Sequence, residues 1–205
     1  MCDTHALLVA VGIPKMQVPP AEPFVLPALQ IDRDLDSLKI KAHLENIQAF
    51  GGSAFVVDKL SVDPHKLTLA MTVTVPSLYV VTDYDVNGRL LLVPLRGKGV
   101  FKGNFTNTKV DVKGSGKLIT KNGVQFVQLE KIQSKLKVGG MAFKFENKDK
   151  TNALITTTAS NFINENQRQV LDIVTPIVQE TIDEVITQFG DRILGSIPYS
   201  EILPE

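Results

Sequence analysis

The sequence predicts an α+β fold in which a long, strongly curved antiparallel β-sheet wraps around one long C-terminal α-helix. Apolar and polar side chains alternate over residues 28–145, which is the period of strands with one buried face. From residue 160 to residue 195, apolar side chains recur instead at three- and four-residue steps, which is the helical period. Glycines inside the strand region predict sharp curvature. A long helix that is apolar on most sides needs such a surface to lie in.

Composition narrows the function classes. The chain has 205 residues, a formal net charge of zero and a 43% hydrophobic share, so it can bury a sizeable core. Its charges are interspersed, which argues against a nucleic-acid partner. No apolar run approaches the roughly 18 residues of a membrane span. Cys2 is the only cysteine, so no internal disulfide is possible, and composition alone slightly favours a reducing compartment.

Residues 1–27 form a short N-terminal stub and a proline-rich arm. Five prolines between Gly12 and Pro27 exclude a regular helix and predict an extended segment on the surface. Apolar residues such as Ile13, Met16 and Phe24 could press this segment against a core. Two interpretations stay open, a packed arm and a lid over a cavity entrance.

Turn signals and glycines organise the strand region. Asn87-Gly88 and Asn122-Gly123 separate alternating runs and predict two hairpins in a meander of long antiparallel strands. Gly97, Gly99 and Gly103 fall on one predicted strand, and Gly114 and Gly116 on the next. We expect Gly103, Gly114 and Gly116 to leave volume where the sheet crosses the helix. Gly97-Lys98-Gly99 is not a phosphate loop, because no helix follows it.

The helix should extend unbroken over residues 160–195, with Gly195 and Pro198 ending it. Pro176 lies inside the pattern, and we expect a kink there rather than two separate helices. No other segment reads as helical at this length. The polar face comprises Gln167, Asp172, Gln179, Asp183, Glu184 and Gln188.

Several stretches together resemble one family. They are GIPKMQVPPAEPF at residues 12–24, VPLRGKGVFKGNF at 93–105, FKFEN at 143–147, FINEN at 162–166 and IPYSEILP at 197–204. In this order they are similar to the takeout and juvenile hormone binding protein family of insects. The resemblance covers roughly residues 12–205.

The resemblance implies a single ligand-binding domain, residues 1–205, with the tubular lipid-binding fold. Such proteins hold juvenile hormone, other isoprenoids or fatty-acid-like lipids in an apolar tunnel between sheet and helix. They are carriers or receptors without enzymatic activity or cofactor, and are typically secreted. The implied localisation is extracellular, with a cytoplasmic alternative because neither a signal peptide nor the family's N-terminal cysteine pair is present. Without the family's first helix, we expect a cavity that is more open at that end.

Candidate ligand-binding residues are the apolar side chains expected to face the tunnel. They are Leu69, Met71, Val73, Val80, Leu92, Phe101, Phe143, Ile173, Ile177, Val178 and Phe189. Tyr79, Thr82 and Tyr84 are possible polar contacts for a ligand oxygen. For any one of these residues, ordinary core packing, or a tyrosine hydroxyl in water, is the simpler explanation.

Catalytic and metal motifs are not apparent. His5, His43 and His65 are not spaced as a ligand pair, and no Gly-x-Ser-x-Gly elbow occurs. Asp32, Asp34 and Asp36 lack the rest of a calcium loop and predict a solvated turn. Asn104 begins a glycosylation sequon on an outward position. We therefore predict no enzyme and no metal, and two hypotheses remain. One is a carrier of a hydrophobic ligand; the other is an interaction module whose core is filled by its own side chains.

Overall fold

The structure is a computed structural model that describes residue 20 and residues 22–147 and 153–202. Most of the stub and arm therefore lies outside the described residues. The elements in order are β1 (Phe24–Asp34), β2 (Leu38–Phe50), a 3-10 turn (Gly52–Ala54), β3 (Val56–Asp63), β4 (Thr68–Leu90), β5 (Val93–Lys121), β6 (Val124–Lys137), β7 (Gly140–Asn147), α1 (Ala153–Glu165), α2 (Gln167–Leu194) and α3 (Tyr199–Ile202). The predicted α+β fold, a curved antiparallel sheet with a long C-terminal helix, is confirmed.

The sheet is built around two very long strands, β4 and β5, which pair with each other along their whole length. The main strand order is β1-β2-β4-β5-β6. This is not a simple meander, because β2 and β3 pair with successive parts of the same edge of β4. In the same way, β6 and β7 follow one another along the free edge of β5. Two long strands flanked by shorter ones can coil into a half-pipe.

One predicted hairpin is right and the other is wrong. Asn122 and Gly123 lie between β5 and β6 with φ of 52° and 80°, as a two-residue turn requires. Asn87 and Gly88 instead lie inside β4. The chain turns at Leu91, four residues after Asn87, where φ is 54°. Gly88 serves a close approach of two backbones: a Cβ there would be 2.1 Å from the carbonyl oxygen of Lys39 on β2.

The strand glycines also differ from the prediction. Gly97, Gly99, Gly103, Gly114 and Gly116 all belong to the single strand β5. The space beside them is taken by neighbours and is not free volume. A Cβ on Gly103 would meet the ring of Phe101 at 2.9 Å, and one on Gly114 would meet Cδ1 of Ile132 at 2.9 Å. These glycines let side chains pack tightly against the strand.

Two proline–asparagine pairs change which side chains face inward. On β1 and β2, Pro27 lies opposite Asn46, whose φ is 53°. On β4 and β5, Pro76 lies opposite Asn107, whose φ is 49°. Beyond each pair the inward positions change from odd to even numbers or the reverse, because one residue on each strand leaves the regular pleat. The sheet thereby keeps one apolar concave face while it coils.

The C-terminal helical region is two helices rather than one. The break is at Asn166, with φ −115° and ψ 36°, and its side-chain Nδ2 donates to the carbonyl oxygen of Phe162 at 2.8 Å. An asparagine side chain that competes for backbone acceptors disfavours regular helix. Pro176 lies inside α2 without ending it, as predicted, and the expected kink there stays a prediction. Helix α1, which starts at Ala153, was not predicted.

The tightly packed core lies at one end of the half-pipe. Its buried members are Leu38, Leu90, Met141, Ile163 and Val170, each at most 6% exposed. They come from β2, β4, β7, α1 and α2, so the start of α2 is fixed where these five elements meet. Along the rest of α2 no residue is fully buried, although many apolar side chains face the sheet.

Candidate functional site

The described residues leave a cavity of about 620 Å³ between the concave face of the sheet and the two helices. This volume is within the range of about 300–1,000 Å³ found for small-molecule sites. The wall is formed almost entirely by aliphatic and aromatic groups from β1, β2, β4, β5, β6, β7, α1 and α2. Many of them are only half-buried because they face the cavity and not another side chain.

Seven of the predicted site residues line this cavity. Val80, Thr82 and Tyr84 share the inward face of β4 beyond Pro76. The other four are Phe101 on β5, Phe143 on β7, and Ile177 and Val178 on α2. Phe101 and Phe143 belong to an aromatic cluster with ring centroids 5.2 Å apart.

Five predicted residues lie outside the cavity wall although they are half-buried. Leu69, Met71 and Val73 are on the same face of β4 as the wall residue Val75, but at the far end of the strand. Ile173 packs against the core cluster, and Phe189 stacks edge-on against Phe24 at 6.1 Å between centroids. These side chains extend or support the wall.

For two residues, the prediction that the side chain faces the cavity is wrong. Leu92 was expected to face inward, but it is in the turn between β4 and β5 and is 92% exposed. Tyr79 alternates with the inward residues Leu78 and Val80, so it lies on the convex face, where its ring centroid is 6.1 Å from that of Phe50. Both errors come from carrying one alternation through positions where the strand turns or changes face.

Sequence reasoning missed the contribution of β1, β2 and α1 to the wall. β2 supplies Leu38, Ile40, Ala42, Leu44 and Ile47; β1 supplies Phe24, Leu26, Leu29 and Ile31; α1 supplies Ala159 and Ile163. The alternation of Leu38, Ile40, Ala42 and Leu44 does signal a buried strand face. What it does not signal is that this face borders a cavity.

Polar side chains fix the helices to one edge of the sheet. Asn164 on α1 accepts from the backbone N–H of Phe143 and donates to its carbonyl oxygen, both at 2.9 Å, as a neighbouring strand would. Oε1 of Gln179 accepts from the N–H of Leu136 at 2.9 Å. Asp191 accepts from the N–H of Leu129 at 2.7 Å. Gln179 was predicted on the polar face of the helix, and it anchors α2 to the free edge of β6.

The opposite edge of the sheet contacts α2 through side chains. Arg33 on β1 forms an ion pair with Glu180, and Phe24 packs on Phe189. Both ion-paired side chains are partly exposed, so the pair contributes little to stability. The helices therefore close the half-pipe with a hydrogen-bonded seam on the β6–β7 side and with side-chain contacts on the β1 side.

The polar residues in the wall are few: Thr82, Tyr84, Arg96, Thr108, Thr175 and Thr181. The Thr82 hydroxyl donates to the carbonyl oxygen of Glu45 at 2.8 Å, and that of Thr181 to the carbonyl oxygen of Ile177 at 3.2 Å. Arg96 has its Nε bonded to Oδ1 of Asn87 at 3.2 Å in an exposed position. Thr108 is different, because it is 6% exposed and its Oγ1 has no hydrogen-bond partner among the residues that the structure describes.

The charged groups outside the cavity form surface pairs. Asp32 and Asp34 belong to strand β1 and not to a turn, and they pair with Lys41 at 3.3 Å and Lys39 at 2.7 Å. Within the described residues no group of three or more histidine, cysteine or acidic side chains is arranged to hold a metal ion.

One surface carboxylate has a strongly shifted pKa. Hydrogen bonds from Lys102 and then Lys144 lower the pKa of Glu146 to about 2.

Asn104, the predicted sequon residue, is exposed as expected.

An apolar cavity enclosed by a coiled antiparallel sheet and a helix defines the takeout-like class of binding proteins. The chain belongs to the haemolymph juvenile hormone binding protein (JHBP) family, whose profile matches residues 6–204. The resemblance seen in the sequence is thus confirmed. This family is known for binding hydrophobic ligands, and its members are binding proteins rather than enzymes.

Individual relatives agree with this assignment. The circadian clock-controlled protein daywake of Drosophila yakuba is 25% identical over 201 residues, which cover 93% of this chain and 76% of that protein. The daywake protein of Drosophila melanogaster is 24% identical over 199 residues, with the same coverage. Takeout 1 of Epiphyas postvittana superposes with a TM-score of 0.77 at 21% identity, over 94% of this chain and 88% of that one. This last similarity establishes the fold. In the described parts of the chain, no helix has the length and apolar character needed to span a bilayer.

Proposed function

We propose that this protein is a carrier that binds one small hydrophobic molecule in the cavity between the sheet and the helices. The candidate ligands are juvenile hormone, another isoprenoid or a fatty-acid-like lipid. The observation that carries the proposal is the cavity of about 620 Å³ with a nearly continuous apolar wall. Removing a hydrocarbon chain from water into such a site is favourable by about 25 cal/mol per Å² of apolar surface.

The same cavity argues against the second hypothesis of an interaction module with a self-filled core. Side chains that filled the tube would leave no volume of this size, since protein interiors are packed to the density of organic crystals. The membership in a ligand-binding family points in the same direction. We further propose that the chain forms one ligand-binding domain and acts outside the cell, consistent with the haemolymph origin in the family's description.

Ala42 offers a direct test, because it lines the cavity from β2 and its side chain is small. Ala42→Phe places a ring inside the cavity. Ala142→Phe is the matched control, since Ala142 is exposed on β7 between inward-facing neighbours. Native mass spectrometry and displacement of a neutral fluorescent probe would be measured for the wild type and both variants.

We expect the wild type and Ala142→Phe to take up one isoprenoid or acyl molecule. Ala42→Phe should bind at least about tenfold more weakly, because the ring occupies the ligand's volume. Circular dichroism should show that both variants keep the fold. A wild type that neither releases a lipid on denaturation nor takes up the probe would refute the proposal. Equal binding by all three proteins would place the ligand outside this cavity.

A further inference from the structure

Thr108 stands apart from the other polar groups of the cavity wall. It lies on β5 opposite Val75, one residue beyond Asn107, where the strand changes face. The residue is 94% buried, and its hydroxyl oxygen has no hydrogen-bond partner in the described part of the protein. A buried hydroxyl without a partner destabilises the folded state, because it has lost its bonds to water and gained none in return.

We propose that the Thr108 hydroxyl is the polar anchor of the site, and that it donates a hydrogen bond to a neutral oxygen of the ligand. This inference rests on the proposed carrier function and adds the chemical class of the ligand. The oxygen is itself buried, and rotation about the Cα–Cβ bond to another staggered rotamer moves it to a different position around Cβ. Thr108 can therefore present its hydroxyl to the cavity without breaking an existing bond.

The surroundings of Thr108 select a neutral oxygen over a charged group. The wall residues nearest to it along the sheet are Val75, Val110 and Leu136, all of them apolar. A carboxylate or an ammonium group buried among them would lose its hydration without gaining an ionic partner. An ester, ketone, ether or alcohol loses far less, and one hydrogen bond can offset that loss. The hydroxyls of Thr82 and Thr181 already donate to backbone carbonyls, whereas that of Thr108 has no partner among the described residues.

The anchor also orients the ligand. The aromatic cluster of Phe101, Phe105, Phe143 and Phe145 begins three residues from Thr108 on β5, and three of its rings pack against the core. With its oxygen at Thr108, the hydrocarbon part of a ligand can extend along these rings. Phe101 and Thr108 are seven residues apart on β5, or roughly 23 Å along a strand. A chain of that order of length fits this orientation.

The test uses a matched pair of probes, methyl tetradecanoate and hexadecane, which compete with a neutral fluorescent dye. Thr108→Val replaces the hydroxyl by a methyl group at constant shape, and Thr108→Ser keeps the hydroxyl. Thr187→Val is the control, since it makes the same change on α2 outside the cavity wall, where the hydroxyl already donates to the carbonyl oxygen of Asp183 at 2.7 Å. We expect Thr108→Val to bind the ester about 3- to 10-fold more weakly and hexadecane unchanged. Thr108→Ser and Thr187→Val should bind both probes like the wild type.

A second measurement guards against a merely structural role. In the absence of ligand, Thr108→Val should unfold at a higher temperature than the wild type, because the unpaired hydroxyl is gone. Weaker ester binding together with higher stability is the combination that the proposal requires. If the wild type and Thr108→Val bind ester and hydrocarbon equally well, the Thr108 assignment is wrong and the carrier function stands. If the wild type binds neither probe, both proposals are refuted.

Discussion

Asn164 is the side chain whose removal should most clearly show how the helices are held. It makes two hydrogen bonds of 2.9 Å to the backbone of Phe143, one as acceptor and one as donor. Both residues are half-buried, so water replaces these bonds only in part when the amide is removed. We predict that Asn164→Ala destabilises the protein and loosens the seam between α1 and β7.

The expected loss of folding free energy in Asn164→Ala is the sum of three contributions. Two hydrogen bonds are worth about 1 kcal/mol each in net stability, and imperfect resolvation of the two backbone groups adds about 1 kcal/mol. Alanine is a better helix former than asparagine by about 0.5 kcal/mol, which offsets part of the loss. The expected destabilisation is about 2–3 kcal/mol. For a domain of this size it corresponds to a lowering of the melting temperature by roughly 4–12 °C.

Asn161→Ala is the matched control, because Asn161 is an exposed residue of the same helix. This variant changes only the helix propensity, which is higher for alanine than for asparagine. It should therefore be neutral or slightly stabilising. Urea denaturation measures both free energies of unfolding, and hydrogen exchange reports the Phe143 amide directly. We expect that amide to lose protection in Asn164→Ala alone. If the two variants differ by less than about 0.5 kcal/mol, the helices are held by apolar packing and the proposed anchoring is wrong.

Two further predictions concern the sheet. Gly88→Ala should destabilise the protein by about 2–4 kcal/mol in urea denaturation, because its Cβ would be 2.1 Å from the carbonyl oxygen of Lys39. Gly123→Ala is the control, because Gly123 has a φ of 80° but open space around the added Cβ. It should destabilise the protein by only about 1 kcal/mol. The Glu146 carboxyl should titrate near pH 2 by NMR, and Lys102→Met should raise its pKa. Because the folded-state pKa is lower than the unfolded value, this carboxylate stabilises the protein above about pH 4.5. That contribution is lost as the pH falls toward 2, and Glu146→Gln should remove this part of the pH dependence.

The fold was predictable because its signals are local and repeated. Two-residue alternation over residues 28–145 reports strands wherever one face is buried, and the helical period after residue 167 is equally direct. Asn122-Gly123 was read correctly, since it needs only positive φ in a tight turn. Asn87-Gly88 was misread because the same dipeptide here satisfies a contact with β2, which is distant in sequence. Local patterns do not distinguish these two uses of glycine.

The site was less predictable, because it depends on which way each strand faces at a given residue. Leu69, Met71 and Val73 were assigned to the wall by extending one alternation, whereas the wall itself uses β4 mostly beyond Pro76. A proline inside a strand pattern is the available signal for such a change of face. Reading Pro27 and Pro76 in this way would have placed Tyr79 on the convex face.

The cavity itself follows from how α2 is attached. A helix held by apolar ridges would settle into the concave sheet until the side chains interlocked. Here Gln179 and Asp191 bind backbone N–H groups at the free edge of β6, which fixes the helix at the rim of the half-pipe. Its apolar residues, among them Val174, Ile177 and Ile182, then face the sheet across a gap that they are too short to fill. In this fold, polar anchors at the rim hold open the apolar space in which a ligand can bind.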